Sequence, residues 1–392
     1  MRWRKILANF SVIVVSVGFG LLLCEFGSRL ALNAADYLNV GMVSDPVFGA
    51  KPSPTARGGF DALGFRNRTV PKTADIVAIG DSQTYGNAAT MDDSWPYALG
   101  RMLGRHVYNM GLGGYGPNQY YELLRTKALP MKPRMVICGL SVTDDFDNAY
   151  QLTYGLDYWA RLRALPGVKI DFDVWNVGDE PPPTRQKRIR IWLSQHSVLY
   201  QLVVHTGLGN RLNGELQIRN APELYPGLAT SLIIPEKHIE EAFQPTVNLH
   251  GLDQNRESVH EGMRVTFELL KEMDEICRKN NIQFVVVVIP TKEMVFSEYL
   301  EHNHKIALSD VVDRLLVNES LALDRTFKFL TDANISYVSP LPLLQKSVGQ
   351  GLFARSAVDM HPNKNGYRVI AEAVAERVKQ LEAPPPPVTQ AQ

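Results

Sequence analysis

The chain has 392 residues, with 41 Lys plus Arg against 41 Asp plus Glu, 45% hydrophobic residues and 21% charged residues. These are globular proportions, which exclude disorder over most of the length, and the balanced charge without a basic run excludes a nucleic-acid partner. Cys24, Cys138 and Cys277 form no CxxC pair, which excludes a disulfide framework and a cysteine zinc site.

The chain opens with Arg2, Arg4 and Lys5, followed by residues 6–23 without a charged side chain, then Glu25 and Arg29. About 18 apolar or small residues are the minimum for a spanning helix and exceed a signal-peptide core of roughly 7 to 15. Residues 1–33 are therefore predicted to be a signal anchor. The basic flank keeps the N-terminus cytoplasmic and exports the body to the periplasm or cell exterior, on a single-pass inner-membrane helix. Two alternatives are cleavage near Ala34, where Leu32 fits the −3 position poorly, and lipidation at Cys24, where Leu23 is bulky. In an exported body, Cys138 and Cys277 act as small buried hydrophobes. Residues 34–70 are polar, contain Gly and Pro and lack periodicity, which predicts a linker.

From 71 to 150 short apolar runs alternate with helical patterns: a run at 75–80, a helix near 95–103, a run at 107–110, a helix near 119–127 and a run at 135–139. The alternation resumes over 256–382, with a helix near 256–280, a run at 284–289, helical patterns near 310–333, a run at 335–338 and a final helix from about 363 to 381. Continuous apolar strands between helices predict a five-stranded parallel sheet covered on both faces, in doubly wound, flavodoxin-like α/β/α order. Residues 151–255 break this rhythm with three prolines at 181–183, several aromatics and one amphipathic stretch near 189–204, and read as a cap-like insertion. Residues 383–392 form a proline-rich tail.

Gly80-Asp81-Ser82 follows the first apolar run, which puts Ser82 on a strand-to-helix turn at the carboxyl end of the sheet, where open α/β folds bind ligands. Asp359-Met360-His361-Pro362 precedes the last helix, with Pro362 suited to its first turn. A serine hydroxyl needs a base to attack, and the base needs an orienting group. In an extended loop, Asp359 and His361 share a side, so Asp359 can hold Nδ1 and leave Nε2 for Ser82. Taken singly, these are common turn and loop residues; together they predict a Ser-His-Asp set.

These runs resemble the SGNH/GDSL hydrolase superfamily over about residues 60–150 and 256–382. The matching segments are Leu63-Gly64-Phe65-Arg66, residues 75–86, Ser94-Trp95-Pro96, the Asn109 to Gly116 run and Asp359 to Gly366, in the manner of membrane-anchored bacterial members associated with alginate and exopolysaccharide O-acetylation. The resemblance implies a serine esterase without a cofactor, with Ser82, His361 and Asp359 catalytic and the Ser82 and Gly114 amides in the oxyanion hole. It departs in the third block, where Gly-x-Asn-Asp is usual and Asp144 replaces the oxyanion-hole asparagine. An ionised carboxylate only accepts hydrogen bonds and repels an oxyanion. Asp144 is then protonated, turned away, a cap for its own loop, or replaced by Thr143 or Asn148.

Pro290-Thr291-Lys292 resembles a Pro-x-Lys element of exopolysaccharide acetylation proteins, which makes Lys292 a substrate-binding or acid-neutralising residue; the alternative is a solvated loop lysine. His302 and His304 lack a third partner, so no metal is assigned. Tyr150, Tyr154, Tyr158, Trp159 and Trp175 supply either a sugar-stacking wall or the cap's own core. The expected activity is hydrolysis of acyl esters of an envelope or secreted polysaccharide. The alternatives are O-acetyl transfer to such a glycan with a membrane acyltransferase partner, and a non-catalytic glycan-binding module.

Overall fold

The computed structural model describes residues 2–54, 58–170, 184–205 and 208–383. Trp175, the prolines at 181–183 and the tail from 384 lie outside the described residues. Helix α1 (Arg2–Ala31) contains a segment, Asn9–Ala31, that is long and apolar enough to cross a membrane, with none of it buried in the protein. An antiparallel hairpin follows, β1 (Met42–Asp45) and β2 (Gly49–Pro52).

In the segment at 34–70, expected to be a linker, the described residues 34–54 and 58–70 are folded onto the body. Its polar residues pair with one another and with the core. Arg66 is buried; it holds Asp36 at 2.7 Å and donates to the carbonyls of Gly86 and Ala89 at 3.0 and 2.8 Å. Asp61, also buried, accepts from Tyr108 Oη at 2.6 Å and Asn67 Nδ2 at 3.0 Å. Composition misread this stretch because buried polar groups that satisfy each other look like solvated ones in a sequence.

The central sheet is built from β3 (Ile76–Gly80), β4 (Val107–Gly111), β5 (Met135–Ser141), β8 (Gln283–Ile289) and β9 (Ser336–Val338), all parallel, in the order β4-β3-β5-β8-β9. Every residue of β3, β4 and β5 is buried, as strands with helices on both faces require. The helices of the first half are α2 (Ser82–Tyr85), α3 (Trp95–Leu103), α4 (Pro117–Leu123) and α5 (Asp144–Gly155). Helix α5 runs through position 150, where the strand–helix rhythm was read as ending.

The intervening region holds α6 (Arg185–His196), α7 (Val198–His205), α8 (Leu208–Arg219), α9 (Ala221–Leu224), an antiparallel hairpin of β6 (Thr230–Ile234) and β7 (Ile239–Phe243), and α10 (Pro245–Leu252). The single amphipathic stretch expected near 189–204 is thus two helices, broken at Ser197. The second half adds α11 (Glu257–Lys279), α12 (Lys292–Val295), α13 (Ser297–Leu300), α14 (Ser309–Asp332), α15 (Leu341–Lys346) and α16 (Lys364–Glu382). Helix α3 packs with α16, while α4, α5 and α11 pack together, giving two helical layers over one continuous core.

Candidate active site

Ser82 is the first residue of α2, directly beyond β3, and Asp81 caps the helix by accepting the Gln83 N–H at 2.9 Å. The strand can turn into the helix this tightly because residue 80 is Gly; a Cβ there would lie 2.1 Å from Thr84 Oγ1. Arg66 grips the far end of α2 through Gly86 and lies over the Tyr85 ring, 4.8 Å from its centroid.

His361 reaches Ser82 from the loop before α16. A bridge between Phe353 and Pro362 and the Ala354 N–H bonded to the His361 carbonyl at 2.9 Å hold that loop. Asn363, which caps α16, adds side-chain bonds to the carbonyls of Gly351 and Phe353 at 2.9 and 2.8 Å. Pro362 therefore lies before the helix cap and fixes the loop, instead of occupying the first turn of the helix. His361 Nδ1 is 2.7 Å from Asp359 Oδ1, and His361 Nε2 is 2.8 Å from Ser82 Oγ. A carboxylate only accepts, so Nδ1 carries the proton and the Ser82 hydroxyl donates to Nε2.

The charges set both members of this pair. Burial opposes ionisation of Asp359, but its bonds to His361 outweigh it and hold the carboxyl below its usual range, helped by Lys292. Burial likewise works against the imidazolium, yet Asp359, Asp81 and Asp144 together raise the His361 pKa above its ordinary value.

Gly114 is on the turn after β4 with φ +74, a conformation that favours glycine, and a Cβ at Gly113 would lie 3.7 Å from Ser82 Cβ. Among the described residues, neither the Ser82 nor the Gly114 amide has a protein acceptor. Asp144 opens α5 with an exposed face, but the protein around its carboxyl still raises its pKa; Asp147 adds to the rise and His361 opposes it. The alternatives for its position go elsewhere: Asn148 Nδ2 points to the Tyr115 carbonyl at 3.5 Å, and Thr143 Oγ1 lies 3.5 Å from Ser141 Oγ.

Lys292 is not a solvated loop lysine. It is 2% exposed, with Nζ 2.7 Å from Glu241 Oε2 on β7 and 5.3 Å from the ring centroids of both Phe243 and Phe353. The contact is a charge pair without hydrogen-bond alignment. Its neighbours extend the network: the buried Glu293 accepts the Gln244 N–H at 2.9 Å and Asn248 Nδ2 at 2.8 Å, while the buried Glu319 accepts the Thr291 N–H at 2.8 Å. A cavity of about 80 Å³ lies among Gln83, Asp144, Lys292, Leu344 and His361.

Sequence reasoning missed a second acidic pair beneath Ser82. Asp81 is buried, with Oδ2 unpartnered, and its pKa is pushed up to about 7 by burial and by the charge of Asp144. Asp145, fully buried, accepts the Tyr120 hydroxyl at 2.7 Å and the Ser141 N–H at 2.8 Å; burial and Asp81 push its carboxyl well up. Of the aromatics expected to form a wall or a core, two are packed inside and Tyr158 is exposed. Tyr154 and Trp159 are buried, and Tyr154 and Tyr158 donate to Glu261 and Glu122 at 2.7 and 2.6 Å. His302 lies beside Asp313 at the surface, 3.3 Å away.

No family model matches the chain, and no curated protein matches it. Solved structures that overlay on it include a lipolytic protein of the G-D-S-L family from Desulfitobacterium hafniense, at 13% identity and a TM-score of 0.37 over 77% of this chain and 98% of that one. A GDSL-like lipase from Bacteroides thetaiotaomicron overlays at 11% identity and 0.35 over 78% and 88%. A catalytic mutant of an acetylxylan esterase from Geobacillus stearothermophilus overlays at 10% identity and 0.37 over 79% and 96%. Overlaps of this size assign no chemistry to this chain, which rests on the side chains above.

Proposed function

We propose that the protein is an exported, membrane-anchored serine esterase of SGNH/GDSL type that hydrolyses short acyl esters, foremost acetyl esters of an envelope or secreted polysaccharide. The observation that carries this reading is His361 bridging Asp359 and Ser82 at 2.7 and 2.8 Å. Ser82 Oγ attacks the acyl carbonyl carbon as its proton passes to His361 Nε2, and Asp359 stabilises the imidazolium. The carbonyl oxygen becomes an oxyanion held by the Ser82 and Gly114 amides. The bond to the leaving alcohol then breaks as His361 returns the proton to it. Water, deprotonated by the same imidazole, releases the carboxylic acid and restores the serine.

Asp144 can join the oxyanion site only when protonated; ionised, it donates nothing there and instead raises the His361 pKa. The small cavity beside His361 supports a short acyl group, and the uncovered apolar length of α1 supports the anchor. Asp359 is held ionised chiefly by its bonds to His361, with Lys292 adding a smaller share.

The test is hydrolysis of an activated acetyl ester by the full chain in detergent. Ser82→Ala and His361→Ala are each expected to lose at least roughly 10³-fold in kcat; an unchanged rate in either refutes the mechanism. Adding a glycan acceptor separates hydrolysis from transfer: acetylated glycan in place of free acetate replaces water with a sugar hydroxyl in the second step and brings in a membrane acyl-donor partner.

A further inference from the structure

Helix α6 has no fully buried residue; Leu193, Ser194 and Gln195 near its end are half-buried and the rest are exposed. Twelve residues are marginal for an isolated helix in water, and helices in proteins are held mainly by an apolar face against a core. Here the apolar residues face outward: Ile189, Ile191 and Trp192 are 50%, 41% and 58% exposed. Arg190 stands between Ile189 and Ile191, Arg185 lies one turn before Ile189, and the helix contains no acidic residue. Exposed Trp beside cations, on a helix without a buried residue, matches what gathers at the head-group level, where Trp rings sit and long Lys and Arg side chains snorkel.

Its position in the fold agrees. The end of α6 is tied to the last turns of α1. Arg29 Nη2 donates to the His196 carbonyl at 2.6 Å, and Glu25 accepts the Ser197 hydroxyl at 2.8 Å and the Val198 and Leu199 amides at 3.1 and 2.9 Å. Glu25 thus caps the N-terminus of α7, favourable for an anion there. Glu25 and Arg29 follow directly on the apolar stretch of α1, so they mark the level at which a spanning helix leaves the hydrocarbon. The Asn39 N–H, bonded to the Ser194 carbonyl at 3.0 Å, fixes α6 from the other side.

We infer that α6 lies on the outer surface of the bilayer, Arg185 and Arg190 on the phosphate groups of anionic phospholipids and Trp192 at the head-group boundary. This rests on the anchor reading of α1. The partner is lipid and not an acidic glycan because α6 is fastened to the membrane helix itself, and because exposed Ile and Trp suit an interface with an apolar interior.

The experiment is hydrogen exchange on the full chain in nanodiscs of phosphatidylcholine alone or with phosphatidylglycerol. Peptides covering 185–196 are expected to exchange more slowly in the anionic discs, by about fivefold or more for each cation engaged. Arg185→Glu with Arg190→Glu removes that slowing, while α11 and α16 exchange as in wild type and hydrolysis of a small soluble ester is unchanged. Equal exchange of α6 in both discs overturns the inference, as does protection that appears only when an acidic polysaccharide is added. Failure of the anchor reading is read separately: a chain that does not co-elute with discs, or whose residues 9–23 exchange freely in them, has no spanning helix.

Discussion

Removing the Lys292 charge, by Lys292→Met, is expected to destabilise the protein more than any surface ion-pair variant. The side chains of Lys292 and Glu241 are 0% and 10% exposed, and their charged atoms are 2.7 Å apart. At an effective dielectric constant near 20, that separation gives an attraction of about 6 kcal/mol, most of it offset by the cost of taking both ions from water. Deleting one partner removes the attraction but leaves the other ion desolvated, so the expected loss is about 3–5 kcal/mol. At roughly 1.4 °C per kcal/mol for a body of about 350 residues, Tm falls by about 4 °C or more. Lys292→Met combined with Glu241→Leu removes both charges and keeps the volume, and a methionine between Phe243 and Phe353 retains favourable sulfur–ring contacts. The double variant is therefore expected within about 1 kcal/mol of wild type, as for other buried pairs replaced by apolar residues. The assay is chemical denaturation of the full chain in detergent for the wild type, both single variants and the double. A single variant costing less than about 1 kcal/mol, the range of exposed pairs, refutes the buried-pair account. So does a double variant as unstable as the two single losses added.

Asp144→Asn supplies a neutral donor where the carboxyl stands, and kcat on an acetyl ester is expected to rise by about tenfold, part of the ~10²–10³ that one oxyanion donor is worth elsewhere. The same change shifts the acid limb of kcat/KM downward. The neutral imidazole is the active base, its raised pKa places the limb above the ordinary 6.5, and losing a carboxylate that helps raise it moves the limb back. Slower turnover, or a limb that moves up, refutes the placement of Asp144. Across activated esters of increasing acyl length, kcat/KM is expected to be highest for acetyl, because the cavity of about 80 Å³ beside His361 has no room for a long chain; a rate that climbs towards hexanoyl contradicts it.

The sheet was legible in the sequence because a parallel strand buried on both faces must be apolar throughout. The runs read at 75–80, 107–110, 135–139 and 284–289 come close to that, Asp75 and Asn109 being their polar residues, and each falls within two residues of its strand. Ser82, His361 and Asp359 were legible for a related reason: strand ends and helix starts fix where a residue emerges, even when 279 positions separate Ser82 from His361. What stayed hidden was polar burial. Lys292, Glu293 and Glu319 look like surface residues because sequence does not show that each has a partner from another element. The hairpin β6–β7 was missed as well. Its apolar residues 232–234 and 239–243, on either side of Pro235 to His238, carry the signal, but the interleaved Glu240 and Glu241 break the strand pattern.

The buried polar contacts connect the two ends of the insertion to different parts of the protein. Through Ser197, Val198 and Leu199 it is fastened to Glu25 on α1. Through Glu241, Gln244 and Asn248 it is fastened to Lys292 and Glu293, whose loop lines the cavity beside His361. The stem of α1 makes a second, independent connection. Only four residues separate Ala31 from Asp36, and Asp36 is paired with the Arg66 that holds the end of the Ser82 helix. Four residues reach at most about 14 Å, so under the anchor reading the body rides on the bilayer and not on a tether. Shifting α1 relative to the body then requires breaking the half-buried Glu25 contacts on one path and the buried Asp36–Arg66 pair on the other. Under the anchor reading the site is held at a fixed height and orientation over the membrane, and the esters it reaches are those presented close to that surface.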